Sequence, residues 1–244
     1  MMSLMLAALL IVIAGATIGA TSIGGVLIVP ALTIFAGIPV TTAIAASSFG
    51  FLLTGAWGWR KQRAERSEAL RSQTALHVAA LLGAIAGALL VLEAPASWVR
   101  GWIAVLAITS GAHALATAHR TAPSRSVQPS AGALIIIGAA VGIGSALSGT
   151  GGPVLLLPIL LLYGIPAATA VATALVIQLP IAIAASGVHA VTGALDLRLG
   201  AGVGLALIAG ASIGHRIAAK THARTLRRGI ALVLVATGLW YGFN

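Results

Sequence analysis

The sequence has very little charge, and most of the charge that it has is of one sign. Only 7% of its 244 residues are charged, and four acidic residues stand against fourteen lysines and arginines. A water-soluble domain normally carries about 25% charged residues, so a soluble globular class is excluded. The hydrophobic share of 59% and the mean hydropathy of +1.07 indicate that lipid surrounds most of the chain.

Cysteine is absent, which excludes disulfides and thiol chemistry. Carboxylates are scarce, and those at Glu93 and Asp196 lie at the ends of apolar stretches, so a proton pathway through a buried acid has no support. The six histidines are scattered, and no metal site or other cofactor is expected. We expect His77 and His215 at the membrane interface, and His189 near the outer surface beside Asp196.

The apolar segments are long and do not alternate with polar residues, which excludes a β-barrel and predicts an all-α polytopic membrane protein. The apolar stretches are 3–21, 25–36, 40–58, 73–92, 99–117, 131–148, 153–163, 166–188, 198–215 and 227–243. The first is predicted to be a membrane helix and not a cleaved leader, because it has no basic start. The stretches 25–36 and 153–163 are too short to span a bilayer, and each follows a glycine-rich break.

The two breaks belong to an internal duplication. A shift of 127 residues pairs Gly24-Gly25 with Gly151-Gly152, and Gly37-Ile38-Pro39 with Gly164-Ile165-Pro166. This ordered set predicts a first repeat over 1–120, a linker over 121–130 and a second repeat over 131–244.

The basic residues predict how the repeats are inserted. Twelve of the fourteen lie in the segments 60–71, 120–125 and 216–228, which the positive-inside rule places in the cytoplasm. All three reach the same side if each repeat is a glycine-broken helical hairpin followed by three transmembrane helices. The second repeat is then inverted, and both termini lie outside a multi-pass inner (plasma) membrane protein. A set of eight simple spans is the alternative.

The breaks are the leading candidate for a binding site. Each leaves the N-terminus of a short helix, with unpaired N–H groups and the positive end of the helix dipole, directed toward the protein centre. Such an end binds an anion without a cationic side chain. Ser22 and Thr150 are expected either to cap these helices or to bind the ligand. Gln178 is the clearest polar residue in a neighbouring span, and it faces either the substrate or the backbone freed by Pro180. The candidate substrate-binding residues are Ser22, Gly24, Gly25, Ser47, Ser148, Gly149, Thr150, Gly151, Gly152 and Gln178.

Two related segments resemble the sulfite exporter TauE/SafE family of membrane permeases. They are SIGGVLIVPALTIFAGIP at 22–39 and SGTGGPVLLLPILLLYGIP at 148–166. The resemblance covers essentially the whole chain, with Gly24, Gly25, Pro30, Gly151 and Gly152 at the family's glycine and proline positions and Pro158 matching in the second half. The chain departs from the family pattern at Ile23, where a third glycine is frequent, and at Pro153. The resemblance implies export of small sulfur-containing anions such as sulfite, or organosulfonates such as sulfoacetate.

The sequence therefore predicts a secondary transporter and not an enzyme. Its expected partners are a small anion and the lipid bilayer, with no nucleic acid, and its oligomeric state is open, a homodimer included. Three alternatives remain: a permease for another small anion or metabolite, a membrane-embedded scaffold subunit, and a serine-type intramembrane enzyme. The enzyme would need Ser148 and His189 within hydrogen-bond reach of each other.

Overall fold

The structure is a computed structural model that describes residues 2–61, 73–117, 129–218 and 223–243. All regular elements in these ranges are helices, which confirms the all-α prediction. They are α1 (Met2–Thr21), α2 (Gly25–Phe35), α3 (Val40–Lys61), α4 (Thr74–Glu93), α5 (Ala96–Thr117), α6 (Ala131–Ser148), α7 (Pro153–Leu162), α8 (Ala167–Val191), α9 (Leu197–Ala218) and α10 (Ala223–Phe243).

Most of the predicted spans are present. Seven helices of the described chain, namely α1, α3, α4, α5, α6, α8 and α9, are long and apolar enough to cross a membrane. The span predicted over 227–243 lies within α10, whose described apolar part is Arg228–Phe243. Large apolar side chains such as Leu82, Ile136 and Leu205 point outward from the bundle, as they do in a protein surrounded by lipid.

The two predicted short helices are present, and each follows a break in the chain. Helix α2 begins as a 3₁₀ turn and ends as a π-helix over Ala31–Phe35. The register changes at Pro30, because proline has no N–H to continue the α-helical ladder. Helix α7 begins at Pro153, the first helical position, where a missing N–H costs nothing.

Both short helices fold back on the helix before them. Residues Ala31–Phe35 of α2 contact α1, and α7 contacts α6, with Leu155 lying at Gly144. The chain thus turns sharply at each break, and the helical hairpins over 3–36 and 131–163 stay a prediction.

The helix contacts follow the same 127-residue relation as the sequence. Helix α1 packs against α9 and α4 against α6, while α3 packs against α9 and α4 against α8. Adding 127 to the residue numbers of one helix in a contact and subtracting 127 from those of the other gives the second contact of the pair. The backbone repeats as well: φ is 62° at Ser22 and 63° at Gly149, and 67° at Gly37 and 75° at Gly164. The inverted orientation in the membrane and the domain boundaries stay predictions, and the basic segments lie largely outside the described residues.

The crossing of α1 and α9 depends on glycine, which gives a stability prediction. A Cβ at Gly210 would collide with the carbonyl oxygen of Val12 and would lie 2.9 Å from the nitrogen of Ala16. We expect Gly210→Leu to force the helices apart and to destabilise the protein by about 1–3 kcal/mol. Thermal unfolding in detergent measures this loss. The control is Gly202→Leu on the same helix, where a Cβ meets nothing within 4 Å; equal melting temperatures for the two variants would contradict the prediction.

Candidate functional site

The two glycine-rich breaks meet at the centre of the bundle. A Cβ at Gly25 would lie 2.7 Å from the carbonyl oxygen of Thr150 and 2.7 Å from Cζ of Phe51. At Gly151, a Cβ would lie 2.7 Å from Cγ of the same ring. The first break, the second break and Phe51 of α3 are thus in direct contact. Only glycine permits this approach, because any side chain at Gly25 or Gly151 would occupy the space of its neighbour.

The breaks hold backbone conformations that L-residues rarely adopt. Gly151 and Gly152 have φ of 76° and 108°, and Ser22, at 62°, is the sole non-glycine residue with positive φ in the described ranges. The equivalent position in the second half is Gly149, whose φ is 63°. A left-handed conformation is costly for serine. Strain of this kind is often associated with function, and here it holds the Ser22 hydroxyl at the break.

The helix ends at the breaks retain free donors. Within the described chain, no hydrogen bond is made by the backbone N–H of Gly25, Gly151 or Gly152. The expectation that Ser22 and Thr150 cap the two short helices is wrong. The N-cap residues are Gly24 and Gly152, which have no side chain, and neither helix has a side-chain cap.

The second break is closed by buried hydrogen bonds. Ser47 Oγ of α3 donates to the carbonyl oxygen of Gly149 over 2.6 Å. The hydroxyls of Ser148 and Thr150 are 3.0 Å apart and hydrogen-bonded, and Ser148 also donates to the carbonyl oxygen of Gly144 over 2.8 Å. Ser47, Ser148 and Thr150 are buried. These predicted site residues lie together, but in this conformation they bond to the protein and not to an accessible space.

The first break adjoins an open cavity of about 320 Å³ between α1, α3, α8 and α9. Its polar lining comes from Ser22, Thr54 and Gln178, and Trp57 and His215 line it toward the ends of their helices. Ligand pockets in proteins have volumes from roughly 300 Å³ upward, so the cavity has room for a small oxyanion. The structure thus brings two predicted site residues, Ser22 and Gln178, to one cavity.

Gln178 connects the cavity to α3. Its Nε2 donates to the carbonyl oxygen of Phe51 and to Oγ1 of Thr54, each over 3.0 Å. The amide hydrogens thus go to α3 and not to the backbone freed by Pro180, while the expectation that Gln178 faces the substrate stays a prediction. Thr54 was missed as a site residue. The available signal was its spacing of seven residues from Ser47, which places both hydroxyls on one face of α3.

Two of the histidines differ from their expected positions. His189 is fully buried and not at the outer surface, and neither of its ring nitrogens has a hydrogen-bond partner in the described chain. His77 is also buried, with Nδ1 2.7 Å from the carbonyl oxygen of Gln73. His215 is exposed and borders the cavity. Since Ser148 bonds to Gly144 and Thr150, the structure does not join Ser148 to His189, and the serine-enzyme alternative loses its geometric basis.

A helical membrane bundle in which two interrupted helices meet beside a cavity is the architecture of a membrane transport protein. Comparison with known families agrees: a family model described as "Sulfite exporter TauE/SafE" matches residues 6–241. The chain belongs to this family, whose members are membrane transporters and not enzymes. In the same comparisons, no curated protein and no solved structure matches the chain.

Proposed function

We propose that this transporter exports small sulfur-containing anions, such as sulfite or an organosulfonate such as sulfoacetate. The main supporting observation is the cavity of oxyanion size beside the first break, which is lined by Ser22, three residues before the free N–H of Gly25 at the start of α2. The family membership supports the sulfur-anion class. The ten predicted substrate-binding residues form the proposed pathway, with the bound anion between the two half-helix N-termini near the bilayer midplane.

The electrostatics of the cavity favour an anion over a cation. Its lining contains no aspartate or glutamate. The N-terminus of a helix carries roughly +0.5 of an elementary charge, and the Ser22 hydroxyl adds a hydrogen-bond donor. Arg216 is exposed at the end of α9 and follows the cavity-lining His215. A positive charge near the mouth of a low-dielectric cleft attracts anions and raises their local concentration.

The position of the cavity supports export. Its lining reaches Trp57 near the end of α3 and Ala218 at the end of α9. These helix ends lead into the basic segments 60–71 and 216–228, which are predicted to be cytoplasmic. The cavity therefore opens on the side from which an exporter takes up its substrate.

The test is uptake of labelled sulfite into liposomes that hold the purified protein, with Ser22→Gly as the informative variant. Glycine relieves the left-handed strain at this position, as Gly149 does in the other half, so the fold is retained. It removes a hydroxyl that binds the anion, and a hydrogen bond to a charged group is worth about 1.5–3 kcal/mol. We expect saturable uptake by the native protein and a loss of roughly 10- to 100-fold in the variant.

The control is Ser212→Ala, because Ser212 Oγ donates to the carbonyl oxygen of Ile208 within its own helix, next to the cavity-lining Ala211. Its uptake should equal that of the native protein. If neither sulfite nor an organosulfonate is taken up by folded, inserted protein, the sulfur-anion assignment fails. If Ser22→Gly and Ser212→Ala transport equally well, the first break is not in the substrate pathway.

A further inference from the structure

The described cavity lies beside the first break, and the 127-residue relation connects its lining with buried positions elsewhere in the bundle. Residues that line it have counterparts 127 positions away, and those counterparts are packed in the protein interior. Thr54, Gln178, Ala211 and His215 correspond to Ile181, Phe51, Ala84 and Ala88, and each of these counterparts is at most 2% exposed. Positions that line the cavity beside the first break thus correspond, in the described chain, to positions closed off from solvent.

The side chain of Phe51 lies between the first break and the second break. Its ring lies against Gly25 of the first break and against Gly151 of the second, and only 2% of the residue is exposed. Its carbonyl oxygen accepts the hydrogen bond from Gln178, which lines the cavity. A Cβ at Gly151 would lie 2.7 to 3.0 Å from three atoms of the ring. The phenyl group therefore occupies the space that a side chain at position 151 would need.

The face of α3 that carries Phe51 connects the cavity with the second break. Thr54 lines the cavity, Phe51 touches both breaks, and Ser47 is bonded to Gly149 of the second break. These residues are three and four positions apart, so they follow one another along one face at about one helical turn per step. The Phe51 ring thus lies against both breaks, on the face of α3 that leads from the cavity toward the second break.

We propose that Phe51 is the gate of this pathway and sets the size of the solute that passes. The ring closes the route from the cavity to the second break and must move away from Gly151 each time a solute passes. A smaller side chain at position 51 leaves the route open and admits larger anions. This inference rests on the proposed transport function, but its first test does not depend on the identity of the substrate.

The test uses the absence of native cysteine. Thr150→Cys places a single thiol behind the ring, at a position only 1% exposed. A water-soluble charged methanethiosulfonate is added to the protein in detergent, and the rate of labelling is followed by intact-protein mass spectrometry. Minor open states are typically populated at about 0.1–10%, so removal of the gate by Phe51→Ala should accelerate labelling at least about tenfold.

The matched control is Phe49→Ala, because Phe49 lies on the same helix but packs against Gly200 of α9. Labelling of Thr150→Cys should stay slow with this change. Phe51→Leu keeps an apolar side chain at position 51 and replaces the alanine variant if that variant does not fold. Its rate of Thr150→Cys labelling should lie between those of the native and Phe51→Ala backgrounds. Equal labelling rates in the native, Phe51→Leu and Phe51→Ala backgrounds, whether fast or slow, would overturn the gate.

A transport measurement completes the test and separates the two proposals. Phe51→Ala should increase the flux of a bulky organosulfonate relative to sulfite in liposomes, while Phe49→Ala should leave this ratio unchanged. Faster labelling without any sulfite transport keeps the gate and rejects the sulfite assignment. Sulfite transport with an unchanged flux ratio and unchanged labelling rejects the gate and keeps the assignment.

Discussion

Replacement of Gly25 by alanine should reduce transport by about 100-fold, because the added methyl group would force the two breaks apart. A Cβ at this position would lie 2.7 Å from the carbonyl oxygen of Thr150, a distance that real Cβ atoms essentially never show. The neighbour is backbone and cannot rotate away, so one break must move relative to the other. Displacements of about 1 Å in a site built on exact placement cost about this much activity.

The measurement is the initial rate of sulfite uptake, normalised to the amount of folded protein in the liposomes. The control is Gly187→Ala in α8, where an added Cβ meets nothing within 4 Å. This change adds the same methyl group to a glycine in a membrane helix and should leave the rate unaltered. A Gly25→Ala protein that transports at the native rate would show that the contact between the breaks is not required for transport.

The class of fold could be predicted from the sequence because few physical rules determine it. Apolar stretches must be helical in lipid, and the short stretches 25–36 and 153–163 cannot span it. The bounds of α2 and α7 in the structure therefore differ by only one residue from the predicted stretches 25–36 and 153–163. The last stretch, 227–243, lies within α10, which extends from Ala223 to Phe243.

The site was predictable only as far as the backbone determines it. The repeated Gly-Gly pairs marked both breaks, and the structure brings them together. The hydrogen-bond partners of the side chains depend on which helices pack on each other. A single stretch of sequence does not predict that packing. Gln178 and Phe51 are 127 positions apart and form a hydrogen bond across α8 and α3. An aromatic residue inside an apolar span such as SSFGFLL carries no polar signal, so Phe51 could not be identified as the residue between the breaks.

Gln178→Glu should stop anion transport near neutral pH and restore part of it in acid. The change keeps the shape of the side chain but puts a negative charge into the lining of the cavity. Two like charges about 5 Å apart, in an environment with an effective dielectric constant of about 20, repel each other by roughly 3 kcal/mol. That energy corresponds to a loss of more than 100-fold in occupancy of the cavity by an anion.

The pH dependence separates charge from lost hydrogen bonds. Glutamate cannot donate to the carbonyl oxygen of Phe51 when ionised, but its protonated form has one O–H to donate. The repulsion is present above the titration range of the carboxyl group and disappears as the pH falls through it, so uptake rises toward acid. Uptake should be followed with a simple alkanesulfonate, whose own charge stays constant over this range.

Gln178→Leu is the matched comparison, since it removes the same two hydrogen bonds, to Phe51 and Thr54, without adding a charge. Its transport should be reduced at every pH and should not recover in acid. Acid recovery confined to the glutamate variant would place the anion close to residue 178. Identical, pH-independent losses in both variants would mean that Gln178 acts only by holding α8 against α3, and the substrate would then bind in the cavity beyond the reach of this side chain.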